Sequence, residues 1–375
     1  MHTRDLRFPV EQSLGRRYPE NPHHYRSPFQ RDRDRIIHAR AFRRLENKTQ
    51  VFSAGLSDHF RNRLTHTIEV VQISRTVAAA LELDESLAEA LALGHDIGHP
   101  PFAHAGEDEL RRQMRHFGDS FDHNLHALRI VERFEQKYPL FPGLNLTFEV
   151  REGIVKHSRE IEVGQDQELD EYLPGLRPPL EAQLIDLADE AAYNTADLDD
   201  GFSAGLFTLE EAAHSIPEFG ELYETVEMQF PGAPERVRFY EILRRLMDWL
   251  VSGLIHGTTE ASQQAGVISS AEVRLYPARL ARYTAPTQTA NRAVKTFLHH
   301  RVYGSPTLTE ERKVSVRRIG ELFQYFLANP ESLPANYRGE LSGTPLHRIV
   351  CDYIAGMTDG YFLKTYASWL GSSSS

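Results

Sequence analysis

The chain has 375 residues, of which 41% are hydrophobic and 25% charged, and carries a net charge of −11. Such a balance fits a soluble globular protein with one large core or two modest ones, and argues against broad nonspecific nucleic-acid binding through phosphate neutralisation. The single cysteine, Cys351, excludes an intramolecular disulfide and fits a reducing cytoplasm, while no signal-like opening and no run of roughly 18 apolar residues points to export or a membrane span.

Helical periodicity predominates and alternating strands are scarce, so the expectation is an all-α protein. A Pro-rich lead (1–29) precedes a helix predicted at 30–48. Its stretch RDRDRIIHARAFRRLENK (31–48) sets seven Arg/Lys against three acids. That is either a solvated face laced with ion pairs or a local phosphate site in an acidic protein. The next helix, about 60–82, is apolar on two sides and therefore expected to be buried. Asp84 is placed to cap a helix at 85–95, which Gly98 and Pro100-Pro101 terminate. Helices follow at 104–116, 123–137 and 148–157, then a polar excursion at 162–179 and a strong helix at 180–200.

The second half reads as helices near 208–229, 234–256, 286–302, 308–328 and 344–369. A Gly/Ser/Thr-rich stretch lies around 253–271, a short hairpin is expected in GVISSAEVRLYP (266–277), and 329–345 is turn-rich. No internal repeat is found. The division expected is a lead (1–29), a core (30–205), a helical C-terminal part (206–369) and a disordered tail (370–375).

Chemistry concentrates at HDIGHPPFAHAGE (95–107). An aspartate at a helix C-terminus, such as Asp96, faces the negative end of the macrodipole, at a cost of a few tenths to about 1 kcal/mol unless a cation offsets it. His95 and Asp96 are intermediate metal ligands, suited to Mn, Fe, Ni, Co or Zn and workable for Mg. Two neighbouring ligands cannot close a site. His66 shares a face with Val70, Ile73 and Val77, as a core histidine or a third ligand. Asp186, Asp189, Tyr193 and Asp197 align on one face of the 180–200 helix. Burying such carboxylates unpartnered is prohibitive, so that face either is solvated or meets a cation and a polar ligand.

Five ordered blocks carry a resemblance: RDRDRIIHARAFRRLENKTQVF (31–52), RNRLTHTIEV (61–70), HDIGHPPFAHAGE (95–107), EAQLIDLADEAAYNTADLDDG (181–201) and YIAGMTDGYF (353–362). Together they resemble the bacterial dGTPase-like deoxynucleoside triphosphate triphosphohydrolases of the HD superfamily, from about residue 20 to 368. The resemblance implies an HD-domain helical fold with a helical C-terminal extension. It implies one divalent metal ion, Mg or Mn ahead of Fe, Co, Ni or Zn, held by His66, His95, Asp96 and Asp189. The implied reaction is hydrolysis of a dNTP to deoxynucleoside and inorganic tripolyphosphate, by water attack at the α-phosphorus.

For proton transfer the chain offers His99, His104 and His123. By resemblance His104 and His123 occupy acid–base positions, and Glu107 is placed to orient an imidazole. Which histidine protonates the leaving oxygen stays open; His126 matches no such position and reads as structural or surface. Arg63, one turn before His66, is the leading phosphate ligand, with a surface arginine as the alternative. Arg43, Arg44, Lys48 and the Lys156-His157 pair rank below it. The family's sugar contacts map to Gln50 and Asp197 for the 3′-hydroxyl and to Tyr303 at the 2′ position. Tyr193 would lie between metal and sugar, and Lys295 would serve the triphosphate.

One departure stands out. Where some family members carry a lysine directly after the fourth metal ligand, this chain has Glu190. The resemblance further implies a homo-oligomer, often a hexamer, with an activator dNTP at subunit interfaces. Two other readings stay on the table: another HD phosphohydrolase acting on nucleotides or single-stranded DNA, and a nucleotide- or nucleic-acid-binding protein without catalysis. Base preference is not legible.

Overall fold

The computed structural model describes residues 3–51, 60–164, 167–339 and 343–371. The chain is nearly all helical, as expected, and among the described residues extended pairing is limited to isolated bridges such as Thr49 with Asn62. In order, the helices are α1 (Pro28–Ile37), α2 (Arg40–Arg44), α3 (Arg63–Ala80), α4 (Glu85–Gly94), α5 (Ala103–Arg115), α6 (His123–Arg129), α7 (Phe148–Val155) and α8 (Leu180–Ser203). They continue with α9 (Leu209–Ser215), α10 (Pro217–Gln229), α11 (Glu235–Ala265), α12 (Ser270–Leu275), α13 (Ala285–Leu298), α14 (Pro306–Ala328), α15 (Ala335–Arg338), α16 (Leu346–Ala355) and α17 (Asp359–Leu370). No helix among the described residues is long and apolar enough to cross a membrane.

Several helices are shorter than the periodicity suggests, each for a local reason. The 30–48 segment breaks into α1, α2 and a final 3-10 turn, with Ala39 extended between them and the Glu135 carboxylate accepting from Ala41 N at 2.7 Å. The 208–229 segment breaks at Ile216, which precedes Pro217 and is thereby held out of the helical region. The 344–369 segment breaks at Gly356, and the Thr358 hydroxyl restarts the chain as α17 by accepting from Tyr361 N at 3.2 Å.

The expected hairpin at 266–277 is instead helix α12. Ser269 accepts from Glu272 N while the Glu272 carboxylate accepts from Ile268 N at 2.8 Å, so side chains at Ser269 and Glu272 start a helix. Asp84 does cap α4, accepting from Leu87 N at 3.0 Å. Within the polar excursion, Gln167–Tyr172 forms a 3-10 helix. Of the tail placed at 370–375, Leu370 closes α17, and 372–375 lie outside the described residues.

Contacts divide the chain into two compact units. The first comprises Met1–Asp34, His66–Leu93 and Leu146–Ser305; the second comprises Arg35–Thr65, Gly94–Asn145 and Pro306–Ser375. The first is built around α8, against which α7, α11 and α13 pack, with α9 and α10 behind α11 and α13. Leu184, Ala188, Ala192 and Leu198 of α8 are fully buried, and Phe202 stacks on Phe239 of α11 at 4.0 Å. Val70, Ile73 and Val77 of α3 are also fully buried, which accounts for a helix apolar on two sides. The second unit centres on α5, α14 and α16, whose Leu110, Met114, Phe323, Phe326, Val350 and Ile354 form one apolar cluster. Each such side chain contributes about 1.5–3 kcal/mol by leaving water.

The basic run at 31–48 is largely taken up by structure. Arg33 pairs with Asp34 at 2.8 Å, Arg31 donates to Asn21 O at 3.0 Å, and Arg35 donates to Leu144 O and Asn145 O at 2.8 and 3.0 Å. Arg44 donates to Gly356 O at 2.8 Å and Arg43 to His38 O at 3.3 Å.

Candidate metal and acid–base site

In the second unit α4 ends at Gly94, and the chain then presents His95, Asp96 and His99 on one tight turn. All three are buried. The turn presses against α6: a Cβ on Gly98 would lie 2.0 Å from His123 O, so only glycine fits. After Pro100-Pro101, Phe102 and Ala103 both adopt left-handed backbone, with φ of 61° and 55°, where α5 begins. Consecutive non-glycine residues there cost roughly 1–2 kcal/mol each, strain of the kind that gathers where side chains must be aimed.

A continuous series of contacts runs through this turn. Arg63 Nη1 donates to Asp96 Oδ2 at 2.7 Å, and Asp96 Oδ1 lies 2.8 Å from His99 Nδ1. The His99 ring lies 3.9 Å from that of His123, whose Nδ1 sits 3.0 and 3.1 Å from the two Glu107 oxygens. Arg111 donates to Glu107 at 2.9 Å. His104, one turn before Glu107, presents an exposed ring 6.2 Å from His99.

The electrostatics follow from burial and neighbours. Burial alone would raise the Asp96 carboxyl, but Arg63, His99 and His95 outweigh it and hold Asp96 well below the usual carboxylate range. Burial and the Arg63 charge push His99 well below an ordinary imidazole. At Glu107 burial pushes upward, yet the hydrogen bond with His123, the neighbouring imidazoles and the Arg111 guanidinium hold the carboxyl below the usual carboxylate range. His126 is structural: its ring is buried, its Nδ1 donates to Gly98 O at 2.8 Å, and burial lowers it to about 4.

Lys48 is buried too, donating to His99 O and, at 3.1 Å, to Ala355 O. Burial, with Arg63 nearby, brings it down to about 7. Gln50 is 6% exposed, and its Oε1 has no hydrogen-bond partner among the described residues.

In the first unit, α8 carries a second row of functional side chains. Asp189 Oδ1 lies 2.7 Å from His66 Nε2, and the Tyr193 ring meets that of His66 edge-on at 6.4 Å. Asp197 is buried and accepts from the Tyr303 hydroxyl, whose pKa is raised by burial and by that carboxylate. Tyr303 ends a π-helical turn, His299–Tyr303, that extends α13; such turns recur at functional sites. Lys295 of α13 pairs with Glu190, so the carboxylate standing where a lysine was noted in relatives meets a lysine from another helix.

The acidic face of α8 is therefore partnered rather than solvated. Asp186 is held by His157 Nδ1 at 2.6 Å, by Ser158 N at 2.9 Å and by Arg279. The other nitrogen of His157 lies 3.9 Å from Asp189 Oδ2, behind the proposed ligand. Lys156 is occupied by Glu152 at 2.8 Å and by two backbone carbonyls. Lys156 and His157 are thus engaged by protein groups, and the pairing of His157 with Asp186 has no signal in sequence spacing. Arg111 was missed although it stands four residues after Glu107, the helical spacing that pairs such charges.

His95 and Asp96 are adjacent and buried in the second unit, and His66 pairs with Asp189 in the first; these are the four metal-capable side chains expected from the sequence. With Asp189 on His66, the donors number two imidazoles and two carboxylates, a set that fits a divalent ion of intermediate hardness.

Comparison with known proteins gives the family. The HD domain matches residues 63–194, which hold all four of these donors, and the phosphohydrolase-associated domain matches residues 281–368. The chain is thus an HD phosphohydrolase in class. It is 46% identical to a deoxyguanosinetriphosphate triphosphohydrolase-like protein of Azoarcus sp. (strain BH72), over 94% of this chain and 93% of that one. Proteins of the same description from Caulobacter sp. (strain K31) and Geobacter sulfurreducens are 43% and 40% identical over 94% of this chain, and over 93% and 91% of their own lengths. The chain belongs to the deoxyguanosinetriphosphate triphosphohydrolase-like family.

Proposed function

We propose that this protein hydrolyses deoxynucleoside triphosphates to deoxynucleoside and inorganic tripolyphosphate, with His66, His95, Asp96 and Asp189 holding one divalent metal ion. The observation that carries the reading is the unbroken series Arg63–Asp96–His99–His123–Glu107, which sets a cation and an oriented imidazole beside the His95-Asp96 pair. Mg or Mn is the favoured ion. When bound, it would shield phosphate charge and lower the pKa of an attacking water.

The protein's own groups divide the remaining work. Arg63 is fixed by Asp96 with its guanidinium buried, and is assigned to the charge that builds on phosphate oxygens. Glu107 holds the Nδ1 hydrogen of His123, which leaves Nε2 to exchange a proton with water or with the departing 5′ oxygen. His104, exposed beside them, is the second candidate for that transfer, and His99 buttresses the His123 ring. Gln50, whose buried oxygen has no partner among the described residues, and Asp197, held by Tyr303, are assigned to the 3′-hydroxyl. Tyr303 and Tyr193, with rings 6.1 Å apart, supply the wall that excludes a 2′-hydroxyl. Lys295 would reach the triphosphate only by exchanging Glu190 for it, so its contribution is conditional on that displacement.

The reading extends to a homo-oligomer, a hexamer in the first instance, with activator dNTP at its interfaces and a cytoplasmic location. Two substitutions test the core of it. Asp96→Ala should abolish magnesium or manganese binding and turnover together. His123→Ala should lower turnover by about 100- to 10,000-fold, the contribution of a positioned acid–base group, while metal remains bound. Loss of bound magnesium or manganese from His123→Ala would contradict the division of roles.

A further inference from the structure

The second unit holds another set of donor atoms just past Asp96. His99, Glu107 and His123 come from the turn after α4, from α5 and from the first residue of α6, and each offers a ligand atom within 4.8 Å of the others. Two imidazoles and a carboxylate form the donor set of open zinc sites, with a fourth position left for solvent.

The donors are held in place. His99 and Glu107 are 5% exposed, and Arg111 fixes one Glu107 oxygen at 2.9 Å. His123 Nδ1 stands 3.0 and 3.1 Å from the Glu107 oxygens, a separation that one ion can span with bonds of about 2.0–2.2 Å to each atom. His99 places Nδ1 2.8 Å from Asp96 Oδ1; a hydrogen on that nitrogen leaves the Nε2 lone pair for an ion. Magnesium prefers oxygen donors and keeps its waters, so a site with two imidazoles discriminates against it.

We infer that His99, Glu107 and His123 form a second cation site, selective for zinc-like ions over magnesium, whose occupation removes the His123 imidazole from proton transfer and so inhibits the enzyme. In the ring's neutral form no proton need leave the protein: the His123 hydrogen moves from Nδ1 to Nε2 and the Nδ1 lone pair goes to the ion. The inhibitory consequence rests on the function proposed above. The ion site itself does not.

The test is a cobalt(II) titration of the full-length, metal-stripped protein, followed by visible absorption and by bound metal after dialysis. Two ions per chain are expected for the native protein, and one for both His123→Ala and Glu107→Gln, each checked for native circular dichroism. Two variants guard against one failing to fold. With magnesium present, zinc should cut dNTP turnover about a hundredfold, the share of the disabled imidazole, and excess magnesium should not restore it. One ion in the native protein, or two retained in both variants, overturns the site. Two ions falling to one, in a protein that hydrolyses no dNTP, upholds the site and overturns the functional reading instead.

Discussion

The residue that most sharply separates metal binding from proton transfer is Glu107. It accepts from His123 and Arg111 and is not one of the four proposed ligands of the magnesium or manganese ion. Glu107→Gln keeps the shape and loses the charge that steadies His123. Turnover should fall by roughly 100-fold or more with manganese content unchanged, as read by steady-state rates and metal analysis on the same preparation. Full activity would remove Glu107 from the mechanism, and loss of manganese would make it a ligand. At this scale the sequence was legible where motif and helical spacing coincide. Arg63 and His66 sit one turn apart on α3, and Asp189, Tyr193 and Asp197 follow one face of α8. It was illegible where partners come from distant chain segments, as His157 does for Asp186 and Lys295 for Glu190.

Among the elements, the start of α8 links two other parts of the first unit. Glu181 is fully buried, and its Oε1 accepts from Phe8 N at 2.9 Å and from Asp84 N at 3.1 Å. Burial raises this carboxyl to about 7. Between the ordinary carboxylate pKa and about 7 the folded state therefore holds more protons than the unfolded chain, so stability falls as pH rises through that window. Glu181→Gln keeps the accepting oxygen without the charge. It should stabilise the protein by about 1–3 kcal/mol at pH 8 and change little at pH 5, as measured by urea unfolding. Equal effects at both pH values would show that Glu181 does not titrate on unfolding. The helices themselves were legible from periodicity and caps, Asp84 above all. The breaks at Ile216 and Gly356 were not, because apolar spacing continues across them while backbone preference does not.

For the whole molecule, a bound metal stabilises the native state by mass action. Metal-stripped protein should melt at lower temperature than protein with manganese, the difference corresponding to about 2.7 kcal/mol at a hundred times the dissociation constant. Asp96→Ala should abolish that difference, and an undiminished shift in that variant would remove Asp96 from the ligand set. The all-α architecture was legible in composition and period alone. The two units, each assembled from three separate stretches of chain, were not, since they depend on contacts among residues far apart in sequence.

The central claim is the bond that breaks. Metal-stripped protein would be incubated with the four dNTPs, singly and together, with magnesium or manganese restored, and the products followed by phosphorus NMR. Tripolyphosphate with free deoxynucleoside is the predicted result, and turnover only in the mixture would add nucleotide activation to it. Pyrophosphate or orthophosphate as the first product, or no product with either metal, would contradict it.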